Sequence, residues 1–133
     1  MGNKRIVIID QDKDLVILLM SAFKARGFEV QGMSTGGEAL SYLSNKINSN
    51  MLSIIIIDCQ LPDMNGLKVL KEFTSKSHHK IPIIMMSESS SEEEMLAGMD
   101  SGATDYLEKP FSIHFLISKA ISLIATHQRR EVH

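Results

Sequence analysis

The stretch LSIIIID, residues 52–58, is apolar up to a carboxylate at its end, with a single serine inside it. A strand that is apolar on both faces is typical of the centre of a parallel sheet, where helices cover both sides. Shorter strand-like stretches at residues 6–9, 28–32, 81–86 and 104–109 alternate with helical patterns. This alternation predicts one α/β domain of the (βα)5 type, with five strands in a doubly wound parallel sheet and helices on both faces.

Two of the predicted helices have distinct sequence signals. An apolar stripe with helical spacing predicts the first of them: Leu15, Leu18, Leu19, Ala22 and Phe23. For the fourth helix, Ser90 with Glu93, or Ser91 with Glu94, can form a capping box. In such a box the hydroxyl and the carboxylate each accept a hydrogen bond from the backbone of the other residue.

Composition and charge exclude several classes of protein. With 133 residues, 44% of them hydrophobic, the chain has the make-up of one globular domain. A net charge of -2 gives no basic surface, so no direct contact with nucleic acid is expected. The apolar run at residues 15–20 is too short to cross a bilayer, and the single cysteine fits a reducing compartment, so we predict a cytoplasmic protein without a membrane span. The domain is predicted to cover residues 4–126, with residues 127–133 as a C-terminal tail or truncated linker.

Polar side chains follow four of the predicted strands, at the edge where ligands bind in such sheets. They are the DQD tripeptide at residues 10–12, Asp58, Ser87 and Lys109. A carboxylate nucleophile, further acids, a hydroxyl and an ammonium group suit phosphoryl transfer to a carboxylate. In this hypothesis Asp58 attacks phosphorus, the acids hold a divalent cation, and Ser87 and Lys109 bind the phosphoryl oxygens.

Four blocks of the sequence resemble the signature blocks of response-regulator receiver domains, in the order of that family. They are VIIDQDKDL (7–15), IIIIDCQLPDMNGLKVL (54–70), IPIIMMS (81–87) and GATDYLEKPF (102–111). The resemblance implies a flavodoxin-like fold with strand order 2-1-3-4-5. It also implies a signalling protein of a two-component phosphorelay, which is not an enzyme beyond its own phosphorylation and dephosphorylation.

The resemblance implies roles for individual residues. Asp58 would be the phospho-acceptor, and Lys109 the lysine that pairs with the phosphoryl group. Ser87 and Tyr106 match the hydroxyl and the aromatic side chain through which such domains switch a partner surface. A cis peptide bond between Lys109 and Pro110 is expected on the same basis.

Mg²⁺ is the cofactor that the resemblance implies, held by Asp10, Asp58 and the main-chain carbonyl of Gln60. Receivers usually end the first strand with two adjacent acids, but here the second position is Gln11. An amide oxygen can bind Mg²⁺ but brings no charge. We therefore expect a weakened site, with the Gln11 amide or a water completing the ligands. Asp12, one place further on, is expected to cap the first helix rather than bind the metal.

A second departure from the family pattern is Glu88, which directly follows Ser87 where the family favours a small residue. Its charge and bulk are expected to slow the entry of a phosphoryl donor.

The partner implied by the resemblance is a sensor histidine kinase or a phosphotransfer protein. Phe115 and Ile121 fall outside the main apolar stripe of the last helix. They suggest a homodimer or partner surface on the side of helix 4, strand 5 and helix 5.

Two other functions stay open at this point. The first is a receiver-like interaction module that works without phosphorylation. The second is a haloacid-dehalogenase-like phosphatase, with Asp10 as nucleophile and Asp12 as general acid/base. That motif leaves the middle residue free and so accommodates Gln11, although those enzymes commonly have Thr or Val where this chain has Asp14.

Overall fold

The computed structural model describes residues 4–46, 51–77, 80–89 and 91–131 of the chain. Five strands and five helices alternate along it: β1 (Arg5–Ile9), α1 (Lys13–Lys24), β2 (Glu29–Met33), α2 (Gly36–Ser44), β3 (Leu52–Asp58), α3 (Gly66–Lys76), β4 (Ile83–Ser87), α4 (Glu92–Asp100), β5 (Asp105–Glu108) and α5 (Ile113–Glu131). All strand pairs are parallel and the strand order is β2-β1-β3-β4-β5, so the predicted (βα)5 fold is confirmed.

The central strand explains why the sheet is covered on both sides. All seven residues of β3 are buried, because their side chains point alternately into two separate cores. Ile55 and Ile57 contribute to the core under α2 and α3, which includes Phe73. Ile54 and Ile56 contribute to the core under α1 and α5. The apolar character of LSIIIID on both faces therefore follows from its place between two layers of helices.

Helix α1 begins where the sequence predicted, but it is rotated relative to the predicted stripe. The Asp12 side chain caps the helix, as expected, by accepting hydrogen bonds from the first-turn backbone. The side chains buried beneath the helix are Val16, Leu19 and Phe23, whereas Leu18 is 52% exposed. The prediction for Leu18 was wrong because residues 15–20 are all apolar, so their spacing fits more than one face.

Helix α5 differs from its predicted extent. It continues to Glu131, so residues 127–131, expected to form a tail or linker, belong to the helix in the structure. Residues 132 and 133 lie outside the described part, as does Ser90 of the first capping alternative.

On helix α5 Phe115 is exposed as expected, but Ile121 is partly buried against the core under α1 and α5. Ile121 therefore contributes to packing more than to a free surface. Within the described residues no helix combines the length and the apolar character that a membrane span requires.

Candidate functional site

Four predicted site residues meet at the carboxyl edge of the sheet. Asp10 follows β1, Asp58 ends β3, Ser87 ends β4 and Lys109 follows β5. They come together because parallel strands present their carboxyl ends at one edge. Asp10, Asp58 and Ser87 are all buried. Burial is rare for the two carboxylates, so they require specific partners.

The Lys109 ammonium lies between the two buried carboxylates. Its Nζ donates to Asp10 Oδ2 at 2.7 Å and to Asp58 Oδ2 at 3.3 Å. The Lys109–Pro110 peptide bond is cis, as predicted. The Lys109 backbone N–H donates to the Ser87 carbonyl at 2.7 Å, which joins the end of β5 to the end of β4. Lys109 therefore partly neutralises the carboxylate pair, and its closer partner is Asp10.

Burial has opposite effects on the pKa values of Asp58 and Lys109. Burial raises the pKa of Asp58 above its ordinary value, and the nearby Asp10 charge adds to this, against the opposing effects of the Gln60 backbone N–H and Lys109. For Lys109, burial alone would lower the pKa, but the hydrogen bonds and charges of Asp10 and then Asp58 together outweigh it, so the pKa is raised. Lys109 thus stays a cation beside a carboxylate whose charge is costly to hold.

The loop after β3 approaches the Asp58 main chain very closely at Gly66. A Cβ at Gly66 would lie 2.1 Å from the Asp58 carbonyl oxygen, so no larger residue fits there without a backbone shift. The Gly66 N–H donates to the Cys59 carbonyl at 2.7 Å, and the Gln60 N–H donates to Asp58 Oδ1 at 3.1 Å. These contacts hold the Gln60 backbone next to the Asp58 carboxylate.

The donor set at this edge fits Mg²⁺, but with one carboxylate fewer than a fully acidic site. Asp10 and Asp58 supply two carboxylates, and the Gln60 main chain is held beside Asp58. Mg²⁺ favours oxygen ligands and usually keeps several waters, so these residues are compatible with its ligand preferences. In the described ranges, no three acidic, histidine or cysteine side chains come together as a metal cluster. Gln11 is exposed beside the site, and Asp12 is engaged as the helix cap.

A surface cleft of about 690 Å³ opens beside Asp10 and Lys109. Its lining includes Asp10, Gln11, Glu88 and Lys109. Glu88 is exposed, so its carboxylate stands at the opening of the cleft rather than inside the site. The structure therefore places Glu88 in the same cleft as Asp10 and Lys109, and its effect on the entry of a phosphoryl donor stays a prediction.

Ser87 also belongs to a second polar cluster, which includes Tyr106 and Glu94. Ser87 Oγ donates to Glu94 Oε1 at 2.6 Å, and Tyr106 OH donates to the Ser89 carbonyl at 2.9 Å. Burial raises the pKa of the Tyr106 hydroxyl, the Ser87 hydroxyl opposes this, and the Glu94 charge reinforces it.

The second capping alternative for α4 is half right: the Ser91 hydroxyl caps the helix by accepting a hydrogen bond from the Glu94 N–H. The Glu94 carboxylate reaches Ser87 instead of completing the box.

Sequence reasoning missed two contacts of acidic residues. Glu94 was interpreted only as part of a helix start, and nothing in its spacing indicates that it reaches Ser87. Asp63 accepts hydrogen bonds from the backbone N–H groups of Gly36 and Gly37, at 2.7 and 2.8 Å. This braces the loop after β3 against the start of α2, where the helix dipole favours a carboxylate. Only the partial positive charge at a helix start could have suggested such a partner.

Comparison with known proteins identifies the class of this chain. A sequence model of the response regulator receiver domain matches residues 6–121, so the chain belongs to that family. The transcriptional regulatory protein CpxR of Klebsiella pneumoniae is 30% identical over 120 residues, which cover 90% of this chain and 49% of CpxR. The response regulator SaeR of Staphylococcus aureus is 30% identical over 119 residues, which cover 90% of this chain and 50% of SaeR. This chain thus spans about half the length of these relatives.

The fold of this chain also matches that of a solved receiver domain. The crystal structure of a CheY-like response regulator receiver domain protein from Methanospirillum hungatei superposes with a TM-score of 0.85 at 26% identity. The superposition covers 97% of this chain and 99% of that one. The observed strand order β2-β1-β3-β4-β5 confirms the flavodoxin-like order that the resemblance implied.

Proposed function

We propose that the protein receives a phosphoryl group from a histidine kinase or a phosphotransfer protein and carries it on Asp58. An Asp58 oxygen forms the new O–P bond while the P–N bond to the donor histidine breaks. The displaced imidazole keeps the electron pair of that bond and takes up a proton. The observation that carries this proposal is the buried Asp58 carboxylate at the end of β3, 3.3 Å from Lys109 Nζ. The chain catalyses at most its own phosphorylation and dephosphorylation.

Lys109 and a bound metal ion would both stabilise the negative charge of the phosphoryl group. Mg²⁺, when bound, offsets the negative charge of the transferred phosphoryl group. Asp10, Asp58 and the Gln60 carbonyl are the expected ligands, with the Gln11 amide or a water beside them. Lys109 would move from Asp10 toward the phosphoryl oxygens as they arrive, because an ammonium on a flexible stem can follow the larger charge.

Signal output would pass through Ser87 and Tyr106 to the side of α4, β5 and α5. Exposed apolar side chains on that side support a partner or homodimer surface: Met95, Leu96, Met99 and Phe115. Because the relatives are about twice as long as this chain, the output of the whole protein and its cytoplasmic location are part of the proposal. The net charge of -2 supports a receiver that does not itself contact nucleic acid.

The phosphatase alternative has less support than the receiver. It needs Asp12 as a mobile general acid/base, but Asp12 Oδ1 accepts hydrogen bonds from the Asp14 and Leu15 N–H groups at 3.1 and 3.2 Å. A general acid must reach the leaving group, which a capping carboxylate does only by giving up the cap. The phosphorylation-independent module stays as the second candidate, because Lys109 partly neutralises the two carboxylates through its ion pairs with both.

Labelling with acetyl phosphate and Mg²⁺ tests the proposed function. Intact mass is expected to show one added phosphoryl group, which disappears when Mg²⁺ is chelated. Borohydride reduction, which converts an aspartyl phosphate to homoserine, followed by trypsin, locates it. The tryptic peptides 6–13 and 47–68 separate Asp10 from Asp58. Modification in 47–68 supports the proposal, modification in 6–13 supports the phosphatase, and no label at saturating Mg²⁺ supports the phosphorylation-independent module.

Removal of the Glu88 carboxylate is expected to speed the labelling. Glu88→Ala should raise the initial rate with acetyl phosphate by roughly twofold to fivefold at low salt, because a like charge at the cleft opening repels an anionic donor. Glu88→Gln keeps the bulk and separates the two causes: if charge dominates, both variants gain equally. The gain should vanish near 1 M salt, where the Debye length is about 3 Å. A rate equal to that of the wild type at low salt would contradict a role for Glu88 in access.

A further inference from the structure

Glu94, in the first turn of α4, makes a contact that its place in a helix start does not explain. Its Oε1 accepts a hydrogen bond from Ser87 Oγ at 2.6 Å. Ser87 is fully buried and Glu94 is half-buried. The contact ties the end of β4 to the start of α4 across the connecting residues 88–91. A short hydrogen bond to a carboxylate in such surroundings is among the stronger kinds.

The Ser87 hydroxyl has only one proton, and Glu94 accepts it. The hydroxyl oxygen in turn accepts a hydrogen bond from the Ser89 N–H at 3.0 Å. A phosphoryl oxygen on Asp58 is only an acceptor, so it needs that same proton. The bond from Ser87 to Glu94 and a bond from Ser87 to a phosphoryl group therefore exclude each other.

Helix α4 has few other attachments to the body of the protein. Of its nine residues, all of them described, Gly98 alone is buried. Met95, Leu96 and Met99 are exposed. Because the helix buries so little apolar surface, the bond between Glu94 and Ser87 is a substantial part of what holds its first turn.

Two other donors, the Cys59 thiol and the Tyr106 hydroxyl, adjoin the Glu94 carboxylate, but neither matches the short bond from Ser87. Burial, followed by the hydrogen bond to Glu94, raises the pKa of the Cys59 thiol to about 12, so the thiol keeps its proton but is only a weak donor. Tyr106 OH is engaged with the Ser89 carbonyl. A half-buried carboxylate that loses its strongest donor is poorly compensated for its burial, so Glu94 is expected to turn toward water. Such a movement carries the first turn of α4 with it.

We propose that Glu94 is a switch residue that holds the Ser87 hydroxyl and the first turn of α4 in the unphosphorylated state. Arrival of the phosphoryl group on Asp58 withdraws that hydroxyl and releases Glu94, so the exposed apolar side chains of α4 change position. This inference rests on the proposed function and extends it to the coupling between the site and α4. Because Glu94 competes for the proton, it also weakens the binding of a phosphoryl group.

Beryllofluoride, a phosphoryl analogue, tests this competition in the presence of excess Mg²⁺. Calorimetry or amide NMR shifts are suitable, since the chain has no tryptophan. Glu94→Ala is expected to bind beryllofluoride about tenfold more tightly than the wild type, because the hydroxyl no longer has to leave a charged acceptor. Glu93→Ala is the matched control: it removes the same charge from the same helix turn at an exposed position and should change the affinity less than twofold.

A double-mutant cycle with Ser87→Ala separates competition from simple repulsion. In the Ser87→Ala background the additional change Glu94→Ala should have no effect on affinity, because no proton remains to compete for. A gain that persists in that background means that Glu94 acts only by its charge, and it overturns the inference. Equal affinities of Glu94→Ala and the wild type overturn it as well, while the proposed function stands. A wild type that binds no beryllofluoride at saturating Mg²⁺ overturns both.

Discussion

Asp58→Asn is expected to accept no phosphoryl group at all and, at neutral pH, to resist unfolding better than the wild type. The first effect follows because an amide cannot form the acyl phosphate with acetyl phosphate. The second follows because burial and Asp10 make the Asp58 charge costly, which is why its pKa is raised. Asparagine keeps an oxygen for the Gln60 N–H but brings no charge into the buried site.

The pH dependence gives the sign of the stability effect. A carboxyl group with a raised pKa binds a proton more tightly in the folded state than in the unfolded state. Folding stability therefore falls as the pH rises from the ordinary Asp value of 3.8 through the raised value of Asp58. Urea unfolding should show the advantage of Asp58→Asn in full above this window and lose it toward pH 3.8.

Asp63→Asn is the control with the opposite sign. The N–H groups of Gly36 and then Gly37 lower the pKa of Asp63, so its charge stabilises the fold above the ordinary Asp value of 3.8 and this contribution is lost as the pH falls. Asp63→Asn should therefore be less stable than the wild type at neutral pH. If Asp58→Asn is also less stable there, the Asp58 carboxylate is better compensated by Lys109 than its raised pKa indicates.

Gln11→Asp is expected to bind Mg²⁺ at least about tenfold more tightly, since even the loss of groups that only support metal ligands often changes affinity by about 10- to 100-fold. The substitution adds a third carboxylate at the cleft beside Asp10 and Lys109. Mg²⁺ favours charged oxygen ligands, whereas the wild-type amide offers a neutral one. The variant should also label faster with acetyl phosphate when Mg²⁺ is limiting, and it should be less stable without metal because three carboxylates repel one another.

Asp12→Asn is the matched control for the neighbouring position. Asparagine caps helices as well as aspartate does, so α1 should keep its stability. Calorimetry or amide NMR titration with Mg²⁺ should show nearly unchanged affinity for Asp12→Asn. If the wild type already binds as tightly as Gln11→Asp, and Asp12→Asn loses that binding, then Asp12 is the metal ligand and its capping role in α1 is secondary.

The sequence alone was sufficient for the fold class and for the edge of the sheet where the site forms. The residues of LSIIIID are apolar on both faces, which predicted a central strand, and β3 is buried at every residue. The carboxylates, the hydroxyl and the lysine follow their strands directly, and parallel strands bring such residues to one edge. The Asp12 cap was also predictable, because capping depends on a few consecutive residues.

Only the tertiary structure decided which partners the polar side chains take. Lys109 lies nearer to Asp10 than to Asp58, and Glu94 bonds Ser87 rather than the backbone of its own helix. The buried face of α1 was likewise undetermined, because its apolar run admits Leu18 as readily as Val16. Local patterns specify strands, helices and caps through neighbours in the chain. A hydrogen bond between side chains far apart in sequence, or the face that a uniformly apolar helix buries, depends on how the elements pack against one another in space.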